Sequence, residues 1–213
     1  MRASDKIKGP RQAVAMGGHG LYEDKVGSFK GEYTITMTDP DGKVVLCEKH
    51  NNIETLDGGV YSAIMFGSGA TPSPPSQRGV YMLAIGTGAT GPVNNPDAPD
   101  PRQRVLNAEI ARQTFTSTVY RTQSGAVSSV PTNVIDYTAN FGSGVAVGPL
   151  NEMSLIRPIS TNPAVRNPVP ATFPTYDPTI DLTLWDVCVN YSTFGVINKP
   201  TNFQLGITWR LTF

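Results

Sequence analysis

The chain of 213 residues carries 17 basic and 17 acidic side chains, so its formal charge is zero, and only 16% of its residues are charged while Gly (21) and Pro (18) are abundant. A neutral balance argues against a dedicated polyanion binder, which normally shows a basic excess, and no run reaches the roughly 18 apolar residues of a bilayer helix. Low charge with many Gly and Pro residues predicts short strands joined by turns and long loops, and the length suits one large domain or one domain plus appendages.

Residues 1–28 show no sustained periodicity and read as an extended N-terminal arm. The first thirty residues hold six basic and three acidic side chains. They contain no apolar stretch of signal-peptide length, so export by that route is not expected. Two uses of the arm stay open: a disordered leader, or a segment ordered by lying on a neighbouring subunit.

Regular structure is expected from "GEYTITMTDPDGKVVLCEK" onward, where Asp39-Pro40-Asp41-Gly42 is a turn sequence between two strand-like runs. In "NNIETLDGGVYSAIMF", Leu56, Val60 and Ile64 recur at helical spacing, interrupted by Gly58 and Gly59. "GSGATPSPPSQRG" is a loop. "VYMLAIG" is a continuous apolar strand, and "QRVLNAEIAR" reads as a short helix or turn. "TFTSTVYR", "VIDYTANF" and "NEMSLIR" are strands, and the Pro-rich stretch after Arg157 is a long loop.

"IDLTLWDVCVNYSTFGVI" and "NFQLGITWRLTF" complete the set. In the last, Phe203, Leu205, Ile207, Trp209, Leu211 and Phe213 alternate with Gln204, Gly206, Thr208, Arg210 and Thr212. Strict period two predicts a strand with one face in a core. The fold class expected is therefore mainly β: an antiparallel β-sandwich over 29–213 with one or two short helices and insertions at about 67–79, 92–101 and 158–178.

Chemical motifs are sparse. Gly86-Thr87-Gly88-Ala89-Thr90-Gly91 is formally G-x-G-x-x-G after a strand, but "PVNNPDAPDP" follows instead of the helix that would receive a pyrophosphate. Tight turns at a strand end explain the glycines better. His19 and His50 lie far apart, and Cys47 and Cys188 form no C-x-x-C. Both cysteines sit in strand-like runs and read as two buried thiols. Asp39 and Asp41 resemble the start of a calcium loop, broken by Pro40 and the early Gly42. Glu109 and Glu152 can be drawn as a glycosidase pair, but a buried ion pair with Arg112 or Arg157 is the simpler use. Glu109 and Arg112, three apart, suit a local ion pair closing a helical turn onto the sheet. No catalytic residue, cofactor or metal ligand is assigned.

"YMLAIGTGATGP", "VLNAEIARQ", "IDYTANF", "LNEMSLI" and "FGVINKPTNFQLGITWRLTF" together resemble a family of tailed-bacteriophage virion proteins. Gly86-Thr87-Gly88 match the family's turn, and Leu106, Glu109 and Arg112 its L-x-x-E-x-x-R segment. Glu152 matches a Glu-containing strand. Lys199 and Pro200, with Ile207, Thr208 and Trp209, match its Lys-Pro turn and terminal I-T-W strand. The resemblance runs in order over about 31–213, including "DPDGKVV" and "NNIETLDGG", and departs at the Pro-rich insertions 92–101 and 158–178.

It implies a non-enzymatic virion subunit of the tail, collar or neck. Such a subunit is made in the bacterial cytoplasm and assembles as a symmetric oligomer with other virion structural proteins, without membrane or specific nucleic-acid binding. A capsid decoration protein is the near alternative. A receptor- or glycan-binding module of a tail fibre is another, for which Tyr176 is the candidate exposed aromatic; Trp185 and Trp209 lie in strand patterns.

Overall fold

The computed structural model describes residues 30–55, 58–59, 79–168 and 184–213. The expected arm at 1–28, most of the loop at 67–79, His19 and Tyr176 lie outside the described residues. The described residues form ten strands: β1 (Lys30–Thr38), β2 (Val44–Glu54), β3 (Met82–Gly86), β4 (Glu109–Thr114), β5 (Ser117–Arg121), β6 (Val127–Ser128), β7 (Val134–Phe141), β8 (Gly148–Arg157), β9 (Val187–Lys199) and β10 (Gln204–Thr212). All pairings are antiparallel, in the order β4-β3-β8-β9-β2-β1-β10-β7-β5-β6.

This order folds over at β2. Most of β2 pairs with β1, but its last residues cross to β9, through Ile53↔Tyr191 and Glu54↔Asn190. Two layers result, β2-β1-β10-β7-β5-β6 and β4-β3-β8-β9, and one buried cluster joins Tyr33, Ile35, Phe141, Ile207 and Trp209 of the first to Leu83, Ile85, Met153, Leu155 and Phe194 of the second. Ser192 Oγ donates to Tyr33 Oη across the layers at 2.9 Å. The expected mainly-β sandwich is the observed class.

The hairpin at 39–42 forms as its sequence dictates. Asp39 Oδ1 accepts from the N–H groups of Asp41 (3.0 Å) and Lys43 (2.8 Å), and Gly42 takes φ 83°, the region that favours glycine. After β2, Thr55 Oγ1 accepts from Gly58 N and Thr55 O from Gly59 N, both at 3.0 Å, which caps a helical turn. The rest of the helix expected there lies outside the described residues.

Three expectations change. Of the short helix or turn expected for "QRVLNAEIAR", the turn forms, at Asn107–Ala108, and Glu109 starts β4 where a helix would have continued. Tertiary pairing with β3 decides this, since a helix would leave the β3 edge without its ladder. Cys47 is exposed whereas Cys188 is buried, and neither is bridged; Cys47 stands on the outer side of β2, where alternation carries it away from the core. In β10 only Leu205, Ile207, Trp209 and Leu211 are core residues, while Phe203 is half-buried and Phe213 is 49% exposed. β10 ends one residue before Phe213, so the last ring passes the rim of the core.

Trp209 lies at the centre, fully buried, with its ring 5.2 Å from that of Tyr33, and its indole N–H has no hydrogen-bond partner. Trp209→Ala is expected to cost about 3–5 kcal/mol in denaturant unfolding, because it opens a cavity between the layers. Trp209→Phe is expected to cost clearly less, since it also removes an unpaired buried donor. Equal losses for the two would refute this account.

Candidate functional site

Of the residues that carried the family resemblance, the Gly86-Thr87-Gly88 turn and Glu152 meet at one buried carboxylate. Glu152, central in β8 and fully buried, projects from the face of its layer that looks away from the main core, opposite Gly86 of β3. Its Oε1 accepts from Gly88 N (3.0 Å) and Ala108 N (2.7 Å), and its Oε2 from Asn107 N (3.0 Å) and Tyr191 Oη (2.8 Å). A buried carboxylate is tolerable only when hydrogen bonds replace its lost hydration, and here both oxygens are doubly engaged. Burial, with Glu152 beside it, pushes the Tyr191 phenol far above its ordinary value, so it remains a proton donor.

This clamp explains the glycines. A Cβ on Gly86 would stand 2.5 Å from both Ala108 O and Glu152 Oε1; on Gly88 it would meet Ala108 N at 2.5 Å and Glu152 Oε1 at 2.7 Å. The G-T-G turn is glycine because backbone and carboxylate approach closely, not because a phosphate is cradled. Asn151 closes the loop further, its Oδ1 accepting from Ala89 N at 3.0 Å. The ion pair considered for Glu152 with Arg112 or Arg157 is not among its bonds; backbone N–H groups take that place.

A second centre surrounds Arg112, whose side chain is 1% exposed. Its Nε donates to Glu109 Oε1 (2.6 Å), its Nη2 to Glu109 Oε2 (2.8 Å) and its Nη1 to Asp186 Oδ2 (2.6 Å). The expected Glu109–Arg112 pair therefore forms, by another geometry. On a regular strand residues three apart face opposite sides, but β4 carries an extra residue where Ile85↔Ala111 is followed by Gly86↔Glu109. That bulge turns both side chains to one face. Burial alone would lower the Arg112 pKa, but the bonds and charges of Glu109 and Asp186 hold it above its ordinary value. Asp186 also accepts from Ile159 N (2.8 Å) and Asn167 N (3.0 Å), and Arg166 Nε reaches Glu109 at 2.9 Å. The start of the Pro-rich insertion is thus tied down by charge.

The drawn glycosidase pair does not assemble as a reactive site. Glu152 is sealed, and Glu109 is taken by Arg112 and Arg166. His50 stacks on Tyr33 at 5.2 Å and lies 3.1 Å from Glu48. Among the described residues no group of three or more His, Cys, Asp or Glu could hold a metal ion, and no helix is long and apolar enough to cross a membrane.

The outer face of the other layer is open and polar. Register places Asp136 of β7 opposite Arg210 of β10, and Arg210 opposite Glu32 of β1. Arg210 grips Asp136 with two bonds (2.7 and 2.9 Å), Arg121 of β5 adds one at 2.8 Å, and Lys49 of β2 meets Glu32 at 2.8 Å. A ladder of alternating charge crosses five strands. Beside it a groove of about 400 Å³ is lined by Glu32, Asn51, Gln123, Asn133, Arg210 and Thr212, among others.

Asp186, Tyr191 and the Asp136–Arg210 pair were not singled out from sequence. Asp136 and Arg210 do occupy outward positions of alternating runs, but only register makes them neighbours. No family model matches the chain, and no curated protein matches it.

Both carboxylate centres can be tested by substitution. Glu152→Gln leaves at least one buried N–H facing an amide N–H₂, so it is expected to cost at least about 2 kcal/mol and more than Tyr191→Phe. Hydrogen exchange at Asn107, whose N–H loses its acceptor when the amide nitrogen takes the Oε2 position, should accelerate with it; unchanged exchange at Asn107, Gly88 and Ala108 alike would sink the clamp. For Asp136, burial pushes its pKa up, but the bonds and charges of Arg210 and Arg121 win and hold it below the usual value. A depressed folded-state pKa gives stability that is complete above the unfolded value, near 3.9, and lost as pH falls through the folded one. The stability gap between wild type and Asp136→Asn is therefore expected to be constant from pH 7 to about 5 and to shrink below about 4. A gap that widens in acid would contradict it.

Proposed function

We propose that this chain is a non-enzymatic structural subunit of a tailed-phage virion, placed in the tail, collar or neck and assembling as a symmetric oligomer with other virion proteins. One observation supports the reading above others. The Gly86-Thr87-Gly88 turn, Glu152 and the Leu106–Arg112 segment all serve clamps that fix loops onto a β-layer. Leu106 itself packs with Ala84, Ile156, Cys188 and Tyr191 under those loops. Residues used this way hold shape without a ligand, which is what a particle subunit requires. The open polar face is the surface such a subunit offers to neighbours.

A receptor-binding reading has one observation in its favour, the polar groove beside Arg210, whose size is within the usual range for small-ligand sites.

The test uses particles produced from a genome that encodes the chain. Antibody raised against the full chain is expected to decorate the tail or neck in negative-stain images, at symmetric positions. Label on the head surface would move the protein to the decoration class. No label on any particle, with the protein remaining in the unassembled fraction, would overturn the proposal. Binding of the isolated chain on a glycan array, lost in Arg210→Ala, would favour the receptor module.

A further inference from the structure

Among the described residues, the β2 strand leaves one edge free. Over Val44–Asn52 it pairs with β1 alone, and among the described residues no strand or backbone group bonds its other side until β9 takes Ile53 and Glu54. Exposed edges invite pairing with another chain, and folded proteins normally blunt them. The other edges are blunted or covered: β6 has 2 residues, β4 is bulged at Ile110 with Arg166 bonding the carbonyl of Glu109, and β9 is met by Thr55 and by the 92–101 loop, through Val93 O and Asp97 O. In β2 the irregularity is confined to the Val44–Val45 end, and Leu46–Asn52 runs in unbroken register against β1.

The charges that would guard this edge are turned elsewhere. Lys49 reaches back over its own layer to Glu32 at 2.8 Å, and Glu48 pairs with His50 at 3.1 Å on the opposite face. Cys47, on the same face as Lys49, is exposed.

We propose that the free edge of β2 pairs antiparallel with the same strand of a second copy of this chain, about a two-fold axis at Lys49. A two-fold perpendicular to the layer keeps each side chain on its own face, so opposed residues must have numbers of equal parity. Centring on Lys49 overlaps the whole regular segment. It sets Glu48 opposite His50 of the second copy, twice, and Cys47 opposite Asn51. Centring on Glu48 would oppose two carboxylates, and centring on Cys47 would bring the bulged Val45 into the ladder. The Lys49 side chains meet at the axis, each already drawn to its own Glu32. The two polar faces then become one continuous surface. Main-chain hydrogen bonds supply such strand addition more than buried area does, so the pair exchanges in solution and is stabilised within an assembly.

This inference deepens the virion reading by naming one contact between copies, and the two can fail separately. The experiment is disulfide capture on the full chain. Opposed residues of an antiparallel pair have Cα atoms about 4.5–5.5 Å apart, within disulfide range. Asn51→Cys is therefore expected to form a dimer under mild oxidation, in which Cys47 of each copy bonds the thiol introduced at position 51 of the other, as mapped by mass spectrometry. Two controls carry the register. Wild-type Cys47 lies about 13 Å from its counterpart along the strands and is expected to cross-link at least tenfold more slowly. Cys47→Ser with Asn51→Cys is expected not to cross-link. Glu48→Lys, which sets a cation against His50, is expected to reduce capture severalfold.

Equal capture of wild type and Asn51→Cys would overturn the proposed register, and absence of any dimer would overturn the pairing itself. Either result leaves particle labelling, and with it the virion reading, untouched. A chain that dimerises in this register yet labels no particle would remove the virion reading instead.

Discussion

The loops over β3 and β8 depend on the hydration that Glu152 gives up. A carboxylate taken wholly out of water must be surrounded by donors, and the nearest are backbone N–H groups of Gly88, Asn107 and Ala108. Meeting that demand draws the chain after β3 and the chain before β4 to one point. The glycines of the turn, the β3–β4 register and the burial of Leu106 are consequences of that convergence. A carboxylate serves better than a neutral side chain because it accepts at every position and donates at none.

The two layers solve different problems. The layer containing β3, β8 and β9 is covered on both faces, by the main core on one side and by clamped loops on the other, which is why β3 is buried at every position. Its polar residues are consequently internal: Arg112 with Glu109 and Asp186, Ser154 beside Cys188 at 2.9 Å. Lys199, also buried, donates to Gly142 O at 3.1 Å, and burial lowers its pKa. Buried charges of this kind contribute little net stability against an apolar packing, but losing one partner leaves an uncompensated ion. They make the loop positions exacting.

The layer containing β1, β10 and β7 has one buried face and one open face. Thr34, Thr208 and Thr138 lie side by side across it, next to the charge ladder. That polar plane is fixed from beneath by Trp209 and Tyr33, and the groove beside Arg210 opens on it. Among the described residues, the unpaired edge of β2 lies at its margin.

Much of this architecture was written in local pattern. The alternation of β10 names Leu205, Ile207, Trp209 and Leu211 as core, Asp-Pro-Asp-Gly names the hairpin, and "VIDYTANF" is β7 to the residue, because side-chain direction and turn chemistry are properties of a few consecutive residues. Pairing is not local. That Glu109–Arg112 is a bulged strand and not a helical turn follows from β3 needing a partner. That Cys47 faces water while Cys188 does not depends on which layer covers each strand. That Glu152 meets backbone instead of arginine, and Asp136 meets Arg210 across a span of 74 residues, depends on register. Local order along the chain thus dictates which residues alternate, turn and avoid water. Which of them meet is a property of the folded molecule alone, since the energy of a buried charge or a free edge depends on what the rest of the chain brings beside it.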